Sequence, residues 1–525
     1  MKQIQFLDST LRDGAQSEGI SFSVQDKLHL LQTLDQFGIT YVEGGNPASN
    51  PKDLEFFERA KKISFKNAKL CAFGSTVHQG IQPNEDDGLR KLIDTQTPVA
   101  VIFGKASALQ VVHVLQTTLD ENLKIVANTI HYLKTLGKEV IFDAEHFFDG
   151  YQEHQTYALS VLQAAVKSGA DSLCLCDTSG GSLPHTIYEI TKRVCLSFPS
   201  VPVGIHAHND TGCGVANSLE AVRAGASMVQ GTFLGFGERC GNANLSVIIP
   251  DLQLKYGLDC GFNLTELTKT AAYVAELSNI PLPHYAPYTG RSAFSHKAGM
   301  HVDGVQKLSS SFEHINPADV GNKRKFLLSE FAGRTTLLSK LKNIAPGLCK
   351  NSPEIAMLTE QIKELEHQGY QFEGADASFE LMVKKFLGQF TPHFQTLLYK
   401  TTDEFPAQDG RTQSIAMIHI SVDGKEETTA AMGNGPVNAL DSALRKALTV
   451  FYPQLKFVYL IDYKVRVIDT EKATESRVRV LIESTNGKES WTTVGISTDV
   501  IEASWNALVD SMEYILQEED TSALK

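Results

Sequence analysis

Cysteine is scarce in this chain, eight residues in 525, and no two of them form a Cys-x-x-Cys pair. That excludes a disulfide framework and a zinc ribbon as the source of stability. Positive charge is short too: 48 Lys and Arg stand against 61 Asp and Glu, a formal net charge of −13. Such a balance repels phosphate backbones, so no nucleic-acid partner is expected. No apolar run reaches the ~18 residues that a bilayer-spanning helix needs, and no membrane partner is expected either. Met1 runs straight into the strand-like Ile4-Gln5-Phe6-Leu7, without the basic, apolar and small-residue zones of a targeting peptide. The expected compartment is the reducing cytoplasm. Gly433-Asn434-Gly435-Pro436 lacks the Gly-Lys-Ser/Thr ending of a phosphate loop and reads as a turn entering a helix.

What is present is ordinary globular composition, 42 % hydrophobic and 21 % charged, in a chain too long for a single core, so a large catalytic unit and at least one further domain are expected. Over the first ~250 residues, short apolar or β-branched runs alternate with amphipathic segments, the order that makes a parallel sheet with crossover helices. The runs lie near Ile4 to Asp8, Thr40 to Glu43, Leu70 to Phe73, Val99 to Phe103, Val140 to Asp143, Ser172 to Cys176, Val203 to His206 and Met228 to Phe233. Eight strand-helix units in this length suit a closed (β/α)8 TIM barrel better than an open doubly wound sheet. Ser23-Val24-Gln25-Asp26 reads as a capping box, with Leu28, Leu31, Leu34 and Phe37 following at helical spacing.

Three regions follow from the changing pattern: a catalytic barrel over 1–260, a helical subdomain and linker over 261–370, and a C-terminal α/β module over 371–525. The last carries a weak repeat, because Asp423-Gly424-Lys425-Glu426 recurs 63 residues later as Asn486-Gly487-Lys488-Glu489, each turn between an alternating strand and a Thr-Thr pair, with a helix to follow. Two strand-rich units, each capped by a helix, make a pseudo-symmetric module. It holds none of the catalytic signals, so a regulatory or assembling role is expected of it.

Where the barrel runs end, reactive side chains appear: Arg12-Asp13, Glu43, Glu145, Thr178, His206, His208, Glu238 and Asn242. Strand ends converge on one mouth in this architecture. His206-Ala207-His208 places two imidazoles on one strand face, either to bind one metal or to serve as ordinary hydrogen-bonding histidines. Asp13 and Asn242 complete a mixed nitrogen and oxygen set suited to a catalytic divalent ion. Arg12 can stabilise an oxyanion beside Asp13 or simply pair with it. Glu145 can act as a base and Thr178 can hold a carboxylate, and either can instead cap the helix that follows. His301 and Asp303, beyond the barrel, suit acid-base work or form a solvated loop pair.

Taken together these residues resemble the DRE-TIM metallolyase superfamily, which includes isopropylmalate, homocitrate and citramalate synthases and hydroxymethylglutaryl-CoA lyases. Leu11-Arg12-Asp13-Gly14-x-Gln16 with Lys27 is similar to its first signature. Val203-x-x-His206-x-His208-Asn209-Asp210-x-Gly212-x-Gly214 is similar to the second, and Gly235-x-Gly237-Glu238-Arg239-x-Gly241-Asn242 to a third. The likeness implies that Asp13, His206, His208 and Asn242 surround a divalent ion, Mg2+ or Mn2+ with Zn2+ as the alternative. It also implies that Arg12 polarises a keto group, that Thr178 holds the keto acid's carboxylate, and that Glu145 with His301 and Asp303 serves the enolisation of acetyl-CoA and the later hydrolysis. The C-terminal repeat resembles the synthases' allosteric domain, which binds an end-product amino acid and helps to form a homodimer. Lyases and biotin-dependent carboxyltransferases lack that domain, and no Ala-Met-Lys-Met biotin site occurs here. Val42-Glu43-Gly44-Gly45-Asn46-Pro47 and Asp143-Ala144-Glu145-His146-Phe147-Phe148-Asp149-Gly150 look most like the citramalate branch. That branch condenses acetyl-CoA with pyruvate on the way to isoleucine; the runner-up substrates are larger 2-keto acids, and the readings from other classes are a carbon-carbon lyase and a non-catalytic amino-acid sensor. One departure is Phe312, where related sequences often carry a tyrosine able to share in proton transfer.

Overall fold

A computed structural model describes residues 4–327, 334–341, 344–345, 347–349, 352–404, 413–468, 475–487 and 489–523. Eight parallel strands close into a barrel in sequence order: β1 Gln5–Asp8, β2 Tyr41–Glu43, β3 Lys69–Ser75, β4 Val99–Lys105, β5 Glu139–Glu145, β6 Ser172–Asp177, β7 Val203–Ala207 and β8 Met228–Gly231. Closure comes from β1 pairing with β8, Gln5 opposite Met228 through Asp8 opposite Gly231. Strands β3, β4 and β5 each run two residues past the end of their apolar runs, since Gly74 and Ser75 still pair with Ile102 and Phe103, and Gly104 and Lys105 with Ala144 and Glu145. β8 is shorter than expected, because Thr232 leaves the ladder to bond Ala243 in the loop that follows.

The period of two along each strand sorts residues into two cores. Phe6, Val42, Ala100, Ile102, Val140, Phe142, Leu173, Leu175, Ile205 and Val229 face outward into the layer shared with the helices. Leu7, Tyr41, Cys71, Val99, Val101, Ile141, Cys174 and Met228 fill the barrel interior. Inward positions nearer the C-terminal ends turn polar, and these build the mouth.

The first helix, Val24–Phe37, starts at Ser23, whose hydroxyl accepts from the Asp26 amide while the Asp26 side chain accepts from the Ser23 amide. It ends at Gly38, whose φ of 110° is open to glycine at little cost. Leu28, Leu31, Leu34 and Phe37 are buried, as their spacing requires.

The chain forms two compact units, 1–294 with 314–324 and 295–313 with 325–525. In the second, the duplication is visible atom by atom. Strands Gln395–Glu404, Gln413–Val422 and Lys425–Gly433 form one antiparallel sheet followed by helix Pro436–Leu448. Tyr459–Val467, Val478–Thr485 and Ser490–Ser497 form the other, followed by helix Val500–Ala523. Thr429 Oγ1 donates to the Ala443 carbonyl (2.8 Å), and Thr493 Oγ1 donates to Ala507 (2.7 Å). The same buried bond thus ties strand to helix in each copy. Ala416, Ile418, Leu440 and Leu444 share one core with Val480, Ile482, Trp505 and Leu508. Among the described residues no helix is long and apolar enough to cross a membrane.

Leu31→Ala, at a fully buried position, is expected to cost about 2–5 kcal/mol through the cavity it leaves. Ser23→Ala is expected to cost about 1 kcal/mol through the lost cap. Urea unfolding of both variants checks the ranking; equal losses would mean that the apolar stripe does not carry the docking of this helix.

Candidate active site and metal centre

Leaving β1, the chain turns tightly over Ser9, whose carbonyl accepts from the amides of Arg12, Asp13 and Gly14 at 2.8–3.1 Å. Gly14 is more than a turn residue, because a Cβ there would meet the Phe236 ring at 2.8 Å. The turn aims Asp13 at the end of β7. Its Oδ2 lies 3.2 Å from His206 Nε2 and 3.9 Å from His208 Nε2. All three residues are buried, with ligand atoms close enough to surround one ion.

Asn242 joins them from the loop after β8. Its Nδ2 lies 3.0 Å from Asp13 Oδ2 and 3.2 Å from His206 Nε2, and its Oδ1 is buried with no hydrogen-bond partner among the described residues. The preceding glycines make room. A Cβ on Gly237 would stand 1.9 Å from Asn242 Oδ1, and Gly241 holds a φ of 86° where a Cβ would strike the Gly235 carbonyl.

The electrostatics of this cluster favour a cation. Burial raises the Asp13 carboxyl, but Arg12 and the His206 hydrogen bond outweigh it and hold Asp13 well below the usual carboxylate range. Burial pushes His208 down to about 4, with help from His206, so its imidazole is neutral at pH 7. For His206, burial works downward but bonding to Asp13 wins and raises its pKa. The field that draws a proton to His206 Nε2 would equally draw a metal ion. Carboxylate, two imidazoles and an amide with an unused oxygen therefore fit a divalent cation.

Around this centre lies a cavity of about 210 Å³ lined by Arg12, Phe73, Phe103, Glu145, Cys176 and Thr178 among others. Arg12 is clamped on three sides: Nε donates to Glu43 Oε2 at 2.6 Å, Nη1 is 3.2 Å from Asp13, and the guanidinium lies 3.9 Å from the Phe73 ring centre. It thus pairs with Asp13 as one of its two sequence readings held, but Glu43 takes the shorter bond. Glu145 pairs with Lys105 at 2.7 Å. Thr178 Oγ1 accepts from the His146 amide at 2.8 Å. It therefore caps the turn that enters helix Phe147–Lys167, before it in the chain rather than after it. The Thr178 carbonyl accepts from Arg239, which also forks onto Asp210.

His301 and Asp303 belong to the second unit, on helix Gly299–Lys307. His301 stacks on Phe312, ring centres 4.2 Å apart, and Asp303 pairs with Lys307 at 2.5 Å. The barrel thus gathers Arg12, Asp13, Glu145, Thr178, His206, His208 and Asn242, while these two are placed by a separate element. Sequence reasoning left out Lys105, Asp143, Gln230, Phe73, Phe103 and Cys176 and gave Glu43 no role. Each lies on a strand at an inward position, so strand parity was the signal available.

A (β/α)8 barrel with a buried carboxylate–imidazole cluster at its C-terminal mouth is the class that this fold and site define. Residues 3–274 match the HMGL-like family model, 288–370 the homocitrate synthase post-HMGL domain-like model, and 373–516 the LeuA allosteric (dimerisation) domain. The chain belongs to the HMGL-like family. It is 53% identical to the (R)-citramalate synthase of Aquifex aeolicus, covering 100% of this chain and 99% of that one. The (R)-citramalate synthase of Geobacter sulfurreducens is 46% identical over 99% of each chain. That of Synechocystis sp. is 46% identical over 97% of this chain and 95% of its own.

Asp8, at the end of β1, carries a pH dependence. Its Oδ1 accepts from Thr10 N, its Oδ2 is buried with no hydrogen-bond partner among the described residues, and burial pushes the carboxyl from 3.8 up to about 7. As pH rises through that window the unfolded chain ionises this group first, so the stability it contributes is present below 3.8 and lost by about 7. Asp8→Asn keeps the Thr10 acceptor and is expected to flatten this fall. Urea midpoints across the window check it; parallel curves for the two proteins would refute it.

Proposed function

We propose that this protein condenses acetyl-CoA with pyruvate and water to give citramalate and CoA. The observation that carries the reading is end-to-end similarity to (R)-citramalate synthases, with 53% identity over 525 residues for the Aquifex aeolicus enzyme. The small cavity supports it, because the stacked rings of Phe73 and Phe103, 5.1 Å apart, wall one side and leave room for a short keto acid.

Asp13, His206, His208 and Asn242 would hold a divalent ion, Mg2+ or Mn2+ by their mixed donors and Zn2+ as the alternative. When bound, such an ion polarises the keto oxygen as a Lewis acid. Arg12, fixed by Glu43 and Phe73, presents its guanidinium to the same oxygen and stabilises the charge that develops there. Because the Thr178 hydroxyl already accepts from His146, its own proton is left to donate to the pyruvate carboxylate. Glu145, with the His301–Asp303 segment, serves proton removal from the acetyl methyl group. That carbon then attacks the ketone, and water cleaves the resulting thioester to release CoA.

The same reading divides the chain into a barrel over 1–260, a helical subdomain and linker over 261–370, and a regulatory module over 371–525, close to the limits of the three family models. It makes the protein a cytoplasmic homodimer that serves isoleucine formation and is restrained by an end-product amino acid bound to the C-terminal module.

Thiol release is the direct test. With acetyl-CoA and pyruvate, release is expected to be abolished by a chelator and by Asp13→Ala, and to be far slower with 2-ketoisovalerate or 2-ketoglutarate. Faster release with either larger acid would move the substrate assignment, and none with any would sink the synthase reading.

Phe103→Ala is expected to raise kcat/KM for 2-ketoisovalerate relative to pyruvate by about 10-fold or more, the scale on which a methylene or two is discriminated in an apolar pocket. An unchanged ratio would show that the ring does not limit substrate size.

A further inference from the structure

At the floor of the mouth three polar side chains are buried in a row. Asp143 on β5, Gln230 on β8 and His206 on β7 are 3 %, 0 % and 5 % exposed. Gln230 stands opposite His206 in the β7–β8 register and spans to Asp143 across the interior. Its Nε2 donates to Asp143 Oδ1 at 2.8 Å, and its Oε1 lies 2.9 Å from His206 Nδ1. Both ends of the amide are engaged, which offsets its burial.

The direction of this chain has a consequence. With its amino group donating to Asp143 Oδ1, Gln230 has only its oxygen left to meet His206 Nδ1. That oxygen can only accept, so it holds a proton on Nδ1 and leaves Nε2, where Asp13 draws the other proton, as the nitrogen that a metal ion would take in that proton's place. Nε2 is the atom that faces Asp13 and Asn242. His208 differs, since its Nδ1 is buried with no hydrogen-bond partner among the described residues.

We propose that Gln230, anchored on Asp143, is a positioning residue that accepts the Nδ1 proton of His206 and so orients Nε2 as a metal ligand. This rests on the metal reading above. It makes the two histidines unequal: His206 is held at Nδ1 by Gln230, and among the described residues His208 has no such partner on its Nδ1.

Mn2+ binding, followed through the paramagnetic resonance of the free ion, tests the idea in the full-length protein without recourse to activity. Gln230→Met, which fills the space but cannot accept, is expected to weaken binding about 10–100-fold, the range found when a ligand's orienting partner is lost. Gln230→Glu, whose carboxylate accepts the same proton, is expected to retain it. Gln230→Met binding as tightly as the wild type would overturn the proposal. His206→Ala separates the two readings: if it binds Mn2+ like the wild type, the metal assignment itself is wrong and this inference falls with it. Should Gln230→Met fail to fold, the ring nitrogen-15 resonances of His206 in the Mg2+-loaded wild type, identified by their loss in His206→Ala, still decide. A protonated Nδ1 with a metal-shifted Nε2 supports the proposal, and an unprotonated Nδ1 overturns it.

Discussion

Closure of the barrel between β1 and β8 is the constraint on which the site depends. The pairing sets Asp8 opposite Gly231 and continues as Ser9 N to the Gly231 carbonyl and Phe233 N to Thr10 Oγ1. Those bonds join segments more than 220 residues apart, 223 in the case of Thr10 and Phe233. Only because the first and last strands meet does the Asp13 turn face the Asn242 loop, with β7 and its histidines alongside. A register slip of one residue would turn every inward side chain outward. The centre would then have no carboxylate.

The mouth concentrates charge where burial makes charge costly. Arg12, Glu43 and Asp13 are offset by one another through short contacts, and Asp143 and Asp8 are pushed up toward neutrality. Apolar residues of similar size would fold at least as well at such positions. Their retention makes sense if the field is used, with an anionic Asp13 between two imidazoles and a fixed guanidinium beside it. The apolar plug beneath, from Leu7 to Met228, supplies the rigidity that holds this arrangement in place.

Much of this was legible without coordinates. The barrel, the helix cap at Ser23 and the duplication around Asp423 and Asn486 rest on local rules: alternation, capping and turn chemistry act within a few residues of chain. Asp13, His206, His208 and Asn242 were legible as a group because each follows a strand that must point to one end of a barrel. Lys105, Asp143 and Gln230 were not, because a polar residue inside a strand carries no local mark of which neighbour it meets.

Sequence alone determined which residues stand at strand ends and which way successive side chains alternate, since both follow from backbone geometry within single elements. Tertiary structure alone decided who pairs with whom. Glu43 rather than Asp13 takes the shorter bond to Arg12, Thr178 serves the turn before it in the chain, and Gln230 reaches Asp143, 87 residues back, while its oxygen meets His206. Such pairings depend on barrel radius, register and the distance across the interior, quantities that exist only once the sheet has closed.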